Sequence, residues 1–206
     1  MKVILLNGSP NVHGCTYTAL KEIADTLEKE GVEAEIIHVG NKDIRGCIAC
    51  RQCKKTGKCV FNDLVNEVAP KLTEADGVVL GSPVYYGSPN GGAMAFFDRL
   101  FYSNLCDKRF KVGAAVTSAR RAGTTATFDV LNKYFTINEM PVVSSKYWNM
   151  VHGYSGDDVR KDKEGMLNMR ILGRNMAFMI KAIQLAKQEY GLPEQEEHVF
   201  TNFIRD

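Results

Sequence analysis

The chain has 206 residues, 45% of them apolar and 24% charged, with a formal net charge of +2 at neutral pH. That length allows one domain with a full core, and the near-neutral balance leaves no electrostatic footprint for nucleic acid or an acidic membrane surface. No apolar run approaches the ~18 residues that span a bilayer, and the apolar stretch before Asn7-Gly8 is too short for a signal-peptide core. The expected location is therefore the cytoplasm, where clustered cysteines serve as metal ligands or redox groups more often than as structural disulfides.

In chain order, residues 3–6 form a continuous apolar run, the mark of a strand buried on both faces. A loop of turn-forming residues follows to Thr16. Leu20, Ile23, Ala24 and Leu27 then lie on one helical stripe ending near Gly31. Residues 34–39 read as a second strand, and the cysteine segment occupies the connection after it. Leu64, Val65, Val68 and Leu72 mark a helix capped by Asn62 or Asp63.

Residues 77–81 form a third buried strand, which delivers the 82–89 loop. Ala93, Phe96, Phe97, Leu100 and Phe101 share a helical face. Residues 112–117 are the fourth strand, and Phe128, Leu131 and Phe135 belong to the next helix. Residues 140–143 predict a short fifth strand, and a long last helix carries Leu172, Met176, Met179, Ile183, Ala186 and Tyr190.

This alternation predicts a doubly wound, five-stranded parallel sheet with helices on both faces. An order of 2-1-3-4-5 makes the loops after strands 1, 3 and 4 neighbours at the carboxyl edge, where such sheets bind ligands. The whole of 1–206 reads as one domain, with a cysteine-rich segment at 45–60 and a helical extension at about 164–206.

Each loop has a chemical reading and a plain one. Residues 9–16 join a strand to a helix start. Backbone N–H groups and the helix dipole there favour an anion, with Ser9 and Thr16 as hydroxyl donors. The loop fits neither the Walker nor the dinucleotide pattern, so a phosphate monoester suits it, and a polar capping loop is the alternative. Pro83-Val84-Tyr85-Tyr86-Gly87 offers flat rings on stiff backbone for a planar ligand, or aromatic packing in the core or at an interface. Arg120-Arg121, between Ser118 and Gly123, suit a reduced flavin's anionic edge or a phosphorylated cosubstrate, or a solvated basic loop.

Four of the six cysteines, Cys47, Cys50, Cys53 and Cys59, fall within 13 residues. Arg45, Arg51, Lys54, Lys55 and Lys58 surround them, and positive charge favours thiolates and offsets the charge of a thiolate-bound centre. A [4Fe–4S] cluster is the leading reading, since ferredoxin segments use a similar pitch. Free thiols or a reversible disulfide, and zinc, are the alternatives; zinc more usually brings separated C-x-x-C pairs. No Ser-His-Asp set or paired carboxylates point to hydrolysis.

Gly8-Ser9-Pro10, residues 81–87 and residues 47–59 together resemble the NADPH-dependent FMN reductase-like group of flavodoxin-fold proteins, and within it the iron–sulfur flavoproteins. The resemblance implies FMN, with its phosphate on Ser9, Asn11, Gly14, Cys15 and Thr16. Its ring would lie against Pro83, Val84, Tyr85, Tyr86 and Gly87, with Ser118, Arg120, Arg121 and Gly123 closing the site.

The resulting expectation is an oxidoreductase whose flavin carries the chemistry, with no catalytic side chain. It would pass electrons from NAD(P)H or a reduced protein donor such as ferredoxin to a quinone, flavin, nitro compound or dioxygen. A homodimer or homotetramer is implied. The alternative is a flavodoxin-type electron carrier without small-molecule turnover.

Overall fold

A computed structural model describes residues 1–201 and 203. The elements are β1 (Lys2–Asn7), α1 (Cys15–Lys29), β2 (Glu33–His38), α2 (Cys53–Thr56), α3 (Leu64–Glu74), β3 (Gly77–Tyr85), β4 (Ser88–Pro89), α4 (Gly91–Ser103), β5 (Val112–Ala119), α5 (Thr124–Thr136), β6 (Met150–His152), α6 (Gly156–Lys161) and α7 (Lys163–Tyr190).

The sheet runs β2-β1-β3-β5-β6 in parallel, and β4 pairs antiparallel with the end of β3. The central strands β1, β3 and β5 are buried along nearly their whole length, as their apolar runs require.

Helices cover both faces. On one, Leu20, Ile23 and Leu27 of α1 meet Met169, Leu172, Met176 and Ile180 of α7 over Val3, Leu5 and Val79. On the other, Val65, Val68 and Leu72 of α3, Phe96, Phe97 and Leu100 of α4, and Leu131 and Phe135 of α5 pack over Ile4, Leu6, Val78 and Leu80. Each such side chain contributes about 1.5–3 kcal/mol when fully buried. The long α7 is thus part of the chain's own core, lying along α1. Positions 202 and 204–206 of the expected extension lie outside the described residues.

The five-stranded 2-1-3-4-5 sheet needs correction in two places. The sheet has six strands, because β3 continues past Gly81 to Tyr85 and turns back as β4. The edge position beside β5 belongs to Met150–His152, whereas the predicted strand at 140–143 makes a single bridge, Gly113 to Val142. Pro141 has no N–H to extend the ladder backward, and forward of Val143 the Asn149 side chain donates to the Ala115 carbonyl at 3.1 Å in place of a strand. The edge is shared: Val142 lies beside the start of β5, residues 144–149 loop outward, and β6 rejoins at Thr117, Ser118 and Ala119. An interrupted edge strand presents little unpaired ladder to a foreign chain. Gly113 must be glycine here, since a Cβ would stand 2.5 Å from the Phe135 ring.

Among the described residues, no helix is long and apolar enough to cross a membrane.

Candidate functional site

The register sets the site. Asn7 pairs with Gly81, Gly81 with Val116 and Pro83 with Ser118, so the loops leaving β1, β3 and β5 emerge side by side at the carboxyl edge. The loop before α1 is held open. Asn7, fully buried at the strand end, accepts the Ser9 N–H at 3.1 Å and donates from Nδ2 to the Val12 carbonyl at 3.2 Å. His38 Nε2 lies 2.7 Å from the Ser9 carbonyl. Gly40 packs so tightly on Ser9 that a Cβ would sit 2.3 Å from its backbone. The Ser9 hydroxyl accepts the Asn11 N–H at 3.1 Å, which leaves its own proton for a ligand oxygen.

The N-cap of α1 is Gly14, which makes no side-chain cap bond, and the first turn holds no acid. Its leading N–H groups, at Cys15, Thr16 and Tyr17, precede the first intrahelical bond and sit at the positive end of the helix dipole. Among the described residues, no side chain caps them. Thr16, 1% exposed, places Oγ1 2.8 Å from Ser118 Oγ. Only one of those hydroxyls donates to the other, so one proton remains for an acceptor in the loop. Cys15 contributes by its backbone: its thiol donates to the Gly153 carbonyl at 3.4 Å, and burial pushes its pKa up. Asn11 is exposed at the loop's rim.

Residues 83–87 form the tip of the β3–β4 hairpin. Tyr86 and Gly87 both take positive φ, 52° and 73°, between the paired Tyr85 and Ser88. This is the primed turn that matches strand twist, and its left-handed conformation is unusual at a tyrosine. Tyr85 is 47% exposed and Tyr86 fully so, which removes the core-packing alternative for these rings. Gly123, at φ 89°, fits under the hairpin; a Cβ would stand 2.8 Å from Val84 Cγ1 and 3.2 Å from Gly87 Cα. Arg120 and Arg121 are exposed at the rim, without an ion pair among the described residues. The three predicted loops are therefore one site, tied by Thr16 to Ser118 and by Gly123 to Val84 and Gly87.

A fourth segment, residues 153–158, joins the loops. Gly153 touches Cys15, and a Cβ on Gly156 would lie 2.7 Å from Thr18 Oγ1 and 3.3 Å from the His13 carbonyl. The α6 N-terminus, closed by a Ser155–Asp158 capping box, thus braces the loop before α1. The Asp158 carboxyl is held below its ordinary range by the Ser155 hydroxyl and the N–H groups of Tyr154 and Ser155. The signal was the Ser155-to-Asp158 spacing before an apolar residue. Asn7, His38 and Gly40 carried only the weaker signal of standing at strand ends.

The cysteines lie elsewhere. Cys47, Cys50, Cys53 and Cys59 line one cleft with Phe61, Arg99 and Tyr102. Arg99 is eight residues into α4 from Gly91 at the loop end, about 12 Å at the helical rise. The cleft and the loop site thus lie toward opposite ends of α4. Cys47 and Cys50 are exposed and Cys53 is buried. Ala49 and Arg51, neither of them glycine, take positive φ of 54° and 57°, a costly conformation that clusters at functional sites. The Ala49 N–H donates to Cys47 Sγ at 3.4 Å.

Among the described residues, no three Cys, His, Asp or Glu groups converge as a single ion needs. The four cysteines share the lining of one cleft.

Cys59 is the most firmly held. Its N–H donates to Asn66 Oδ1 and its carbonyl accepts from Asn66 Nδ2, both at 2.9 Å. Its sulfur accepts from Arg99 Nε at 3.3 Å and Nη2 at 3.2 Å. Arg99, 1% exposed, also grips Asp63 through Nη1 at 2.7 Å and Nη2 at 2.9 Å, and donates to the Arg45 carbonyl at 3.2 Å. Burial works against its charge, but the bonds to Asp63 and Cys59 outweigh that and raise its pKa. Breaking such a buried pair by removing one partner costs about 3–5 kcal/mol. The only hint in the sequence was a cation inside an apolar stripe.

Strand order and edge loops define a flavodoxin-like sheet, and the family match makes the class an FMN-dependent oxidoreductase. The chain belongs to the NADPH-dependent FMN reductase family, whose model matches residues 1–155. An iron–sulfur flavoprotein of Methanocaldococcus jannaschii is 34% identical over 192 residues, covering 89% of this chain and 100% of that protein. One from Methanosarcina thermophila is 26% identical over 89% of this chain and 97% of its own length. Among solved structures, RosB with a bound 8-demethyl-8-formylriboflavin-5'-phosphate superposes with TM-score 0.69 at 17% identity, over 100% of this chain and 94% of that one. An archaeal flavodoxin gives 0.59 at 18% identity, over 88% and 99%. At those identities the two structures speak to the fold alone.

Proposed function

We propose that this chain binds FMN at the three-loop site and a [4Fe–4S] cluster at the cysteine cleft, and passes electrons from NAD(P)H or a reduced ferredoxin to a small acceptor. The carrying observation is the uncapped first turn of α1, opened beside two glycine-bearing loops at the sheet's carboxyl edge. Names of relatives point the same way.

The chain's own residues divide the work. The N–H groups of Cys15, Thr16 and Tyr17 and the hydroxyls of Ser9 and Thr16 hold the phosphate dianion, with Asn11 and Gly14 shaping the loop. Residues 83–87 and Gly123 bring backbone and aromatic rings against a flat ligand. Arg120 and Arg121 attract a phosphorylated cosubstrate at the rim. Bound FMN supplies hydride acceptance and electron transfer in one- or two-electron steps. The cluster supplies single-electron exchange at the exposed Cys47–Cys50 face, where Arg51, Lys54, Lys55 and Lys58 favour an acidic protein donor. Exposed Phe178 and Leu185 on α7, and the exposed Tyr147–Trp148 pair, support self-association as a homodimer or homotetramer in the cytoplasm.

Anaerobic purification followed by FMN, iron and sulfide assays tests both sites. Flavin with about four irons per chain is expected. Colourless protein that releases no FMN on denaturation refutes the flavin reading, and flavin without iron refutes the cluster. Steady-state NADPH oxidation with a quinone then separates an enzyme from an electron carrier, which shows almost none.

A further inference from the structure

We propose that Arg99 is a positioning residue for the cysteine centre. It fixes the Cys59 sulfur and raises the reduction potential of the group that sulfur ligates. This inference rests on the cluster reading above.

An arginine carries five N–H donors, and here every one is used: two on Cys59 Sγ, two on the Asp63 carboxylate and one on the Arg45 carbonyl. The guanidinium also stacks on Phe61, its carbon 4.9 Å from the ring centroid. Nothing in α4 requires a cation at this position. Its neighbours Phe96, Phe97 and Leu100 are fully buried, and a buried charge is costly unless fully partnered. The arrangement makes sense when the sulfur is a metal-bound thiolate, since a neutral thiol is a weak acceptor for two charged N–H groups.

By contrast, Cys47 receives a backbone N–H, from Ala49 at 3.4 Å. Hydrogen bonds to ligand sulfur favour the reduced, more negative state of a cluster, so the Arg99 fork raises its potential. Asp63 works in the opposite sense. Its carboxylate aims the guanidinium and neutralises part of its charge. The pair therefore sets the potential by balance, and lysine cannot reproduce the planar fork.

The test compares wild type, Arg99→Lys and Asp63→Asn, all purified anaerobically. Iron, sulfide and FMN per chain are measured, with the cluster midpoint potential from EPR-monitored titration and the Fe–S(Cys) stretch from resonance Raman. Arg99→Lys is expected to lower the potential and move the stretch. Asp63→Asn, which keeps the guanidinium, is expected to raise the potential. FMN content stays at the wild-type value in both.

Opposite shifts are a signature that a merely structural role does not produce. Potentials unmoved in both variants, or moved in the same direction, overturn the assignment. If Arg99→Lys fails to fold, the sign of the Asp63→Asn shift decides. A wild-type protein without iron and sulfide removes the cluster reading and this inference together, whereas a wild-type cluster with unmoved variant potentials removes the role of Arg99 alone.

Discussion

Replacing Thr16 by alanine separates what its hydroxyl does for the fold from what it does for the ligand. Thr16 Oγ1 and Ser118 Oγ are 2.8 Å apart, and both residues are nearly inaccessible, at 1% and 2% exposure. In the flavin-free protein the substitution removes a neutral hydrogen bond worth about 0.5–1.5 kcal/mol and a buried methyl worth about 0.8 kcal/mol, and leaves Ser118 without its partner. A stability loss of about 1.5–3 kcal/mol in urea melts follows. The ligand term is separate. A hydrogen bond to a charged phosphate is worth about 1.5–3 kcal/mol, so the FMN dissociation constant rises about 10- to 150-fold in a fluorescence titration.

Thr16→Ser keeps the hydroxyl and should bind FMN near the wild-type affinity. In the Thr16→Ala/Ser118→Ala double variant the stability losses are less than additive, because both single changes remove one shared bond. Unchanged FMN affinity beside the expected loss of stability refutes the reasoning: it would make Thr16 a tie between two loops and nothing more.

Other changes probe other contacts. Gly123→Ala forces a side chain into a left-handed backbone beside Val84 and Gly87; a loss of at least about 1–2 kcal/mol and weaker FMN binding are expected, checked by thermal melts and flavin titration. Cys53→Ser should abolish bound iron and sulfide while leaving FMN in place, and wild-type iron stoichiometry would take Cys53 out of the ligand set. The Asp158 carboxyl has a folded pKa below the ordinary 3.8, so its contribution to stability is complete above that value and is lost as pH falls through the folded one. Asp158→Asn should therefore flatten the acid limb of a stability-versus-pH curve without changing its slope near neutrality; an unaltered acid limb would show that the capping box carries no linkage.

Period and local chemistry made the central strands and the covering helices legible. A run such as Val3 to Leu6 has a low-energy place only between two helical layers, and the Phe96, Phe97 and Leu100 stripe only against a sheet. The glycine-and-hydroxyl loops and the close cysteine spacing were legible for the same reason: each is a local arrangement whose chemistry needs neighbours in sequence. The edge strand was misplaced because residues 140–143 and 150–152 have similar apolar content. What chose between them was ladder hydrogen bonding: the Asn149 side chain, donating to the Ala115 carbonyl at 3.1 Å, ends the first ladder after Val143, and Met150–His152 takes up the next.

Partners distant in sequence were decided by tertiary structure alone. His38 on the Ser9 carbonyl, Gly153 on the Cys15 thiol and Arg99 on the Cys59 sulfur join residues whose pairing depends on how helices and strands dock. No local period encodes such a contact. The sequence by itself determined which segments would be buried and which loops carried reactive groups. Packing decided which side chains tie the three loops together, that the cysteines face a cleft farther along α4, and that a buried arginine grips one of them, because those outcomes follow from the docking of whole elements.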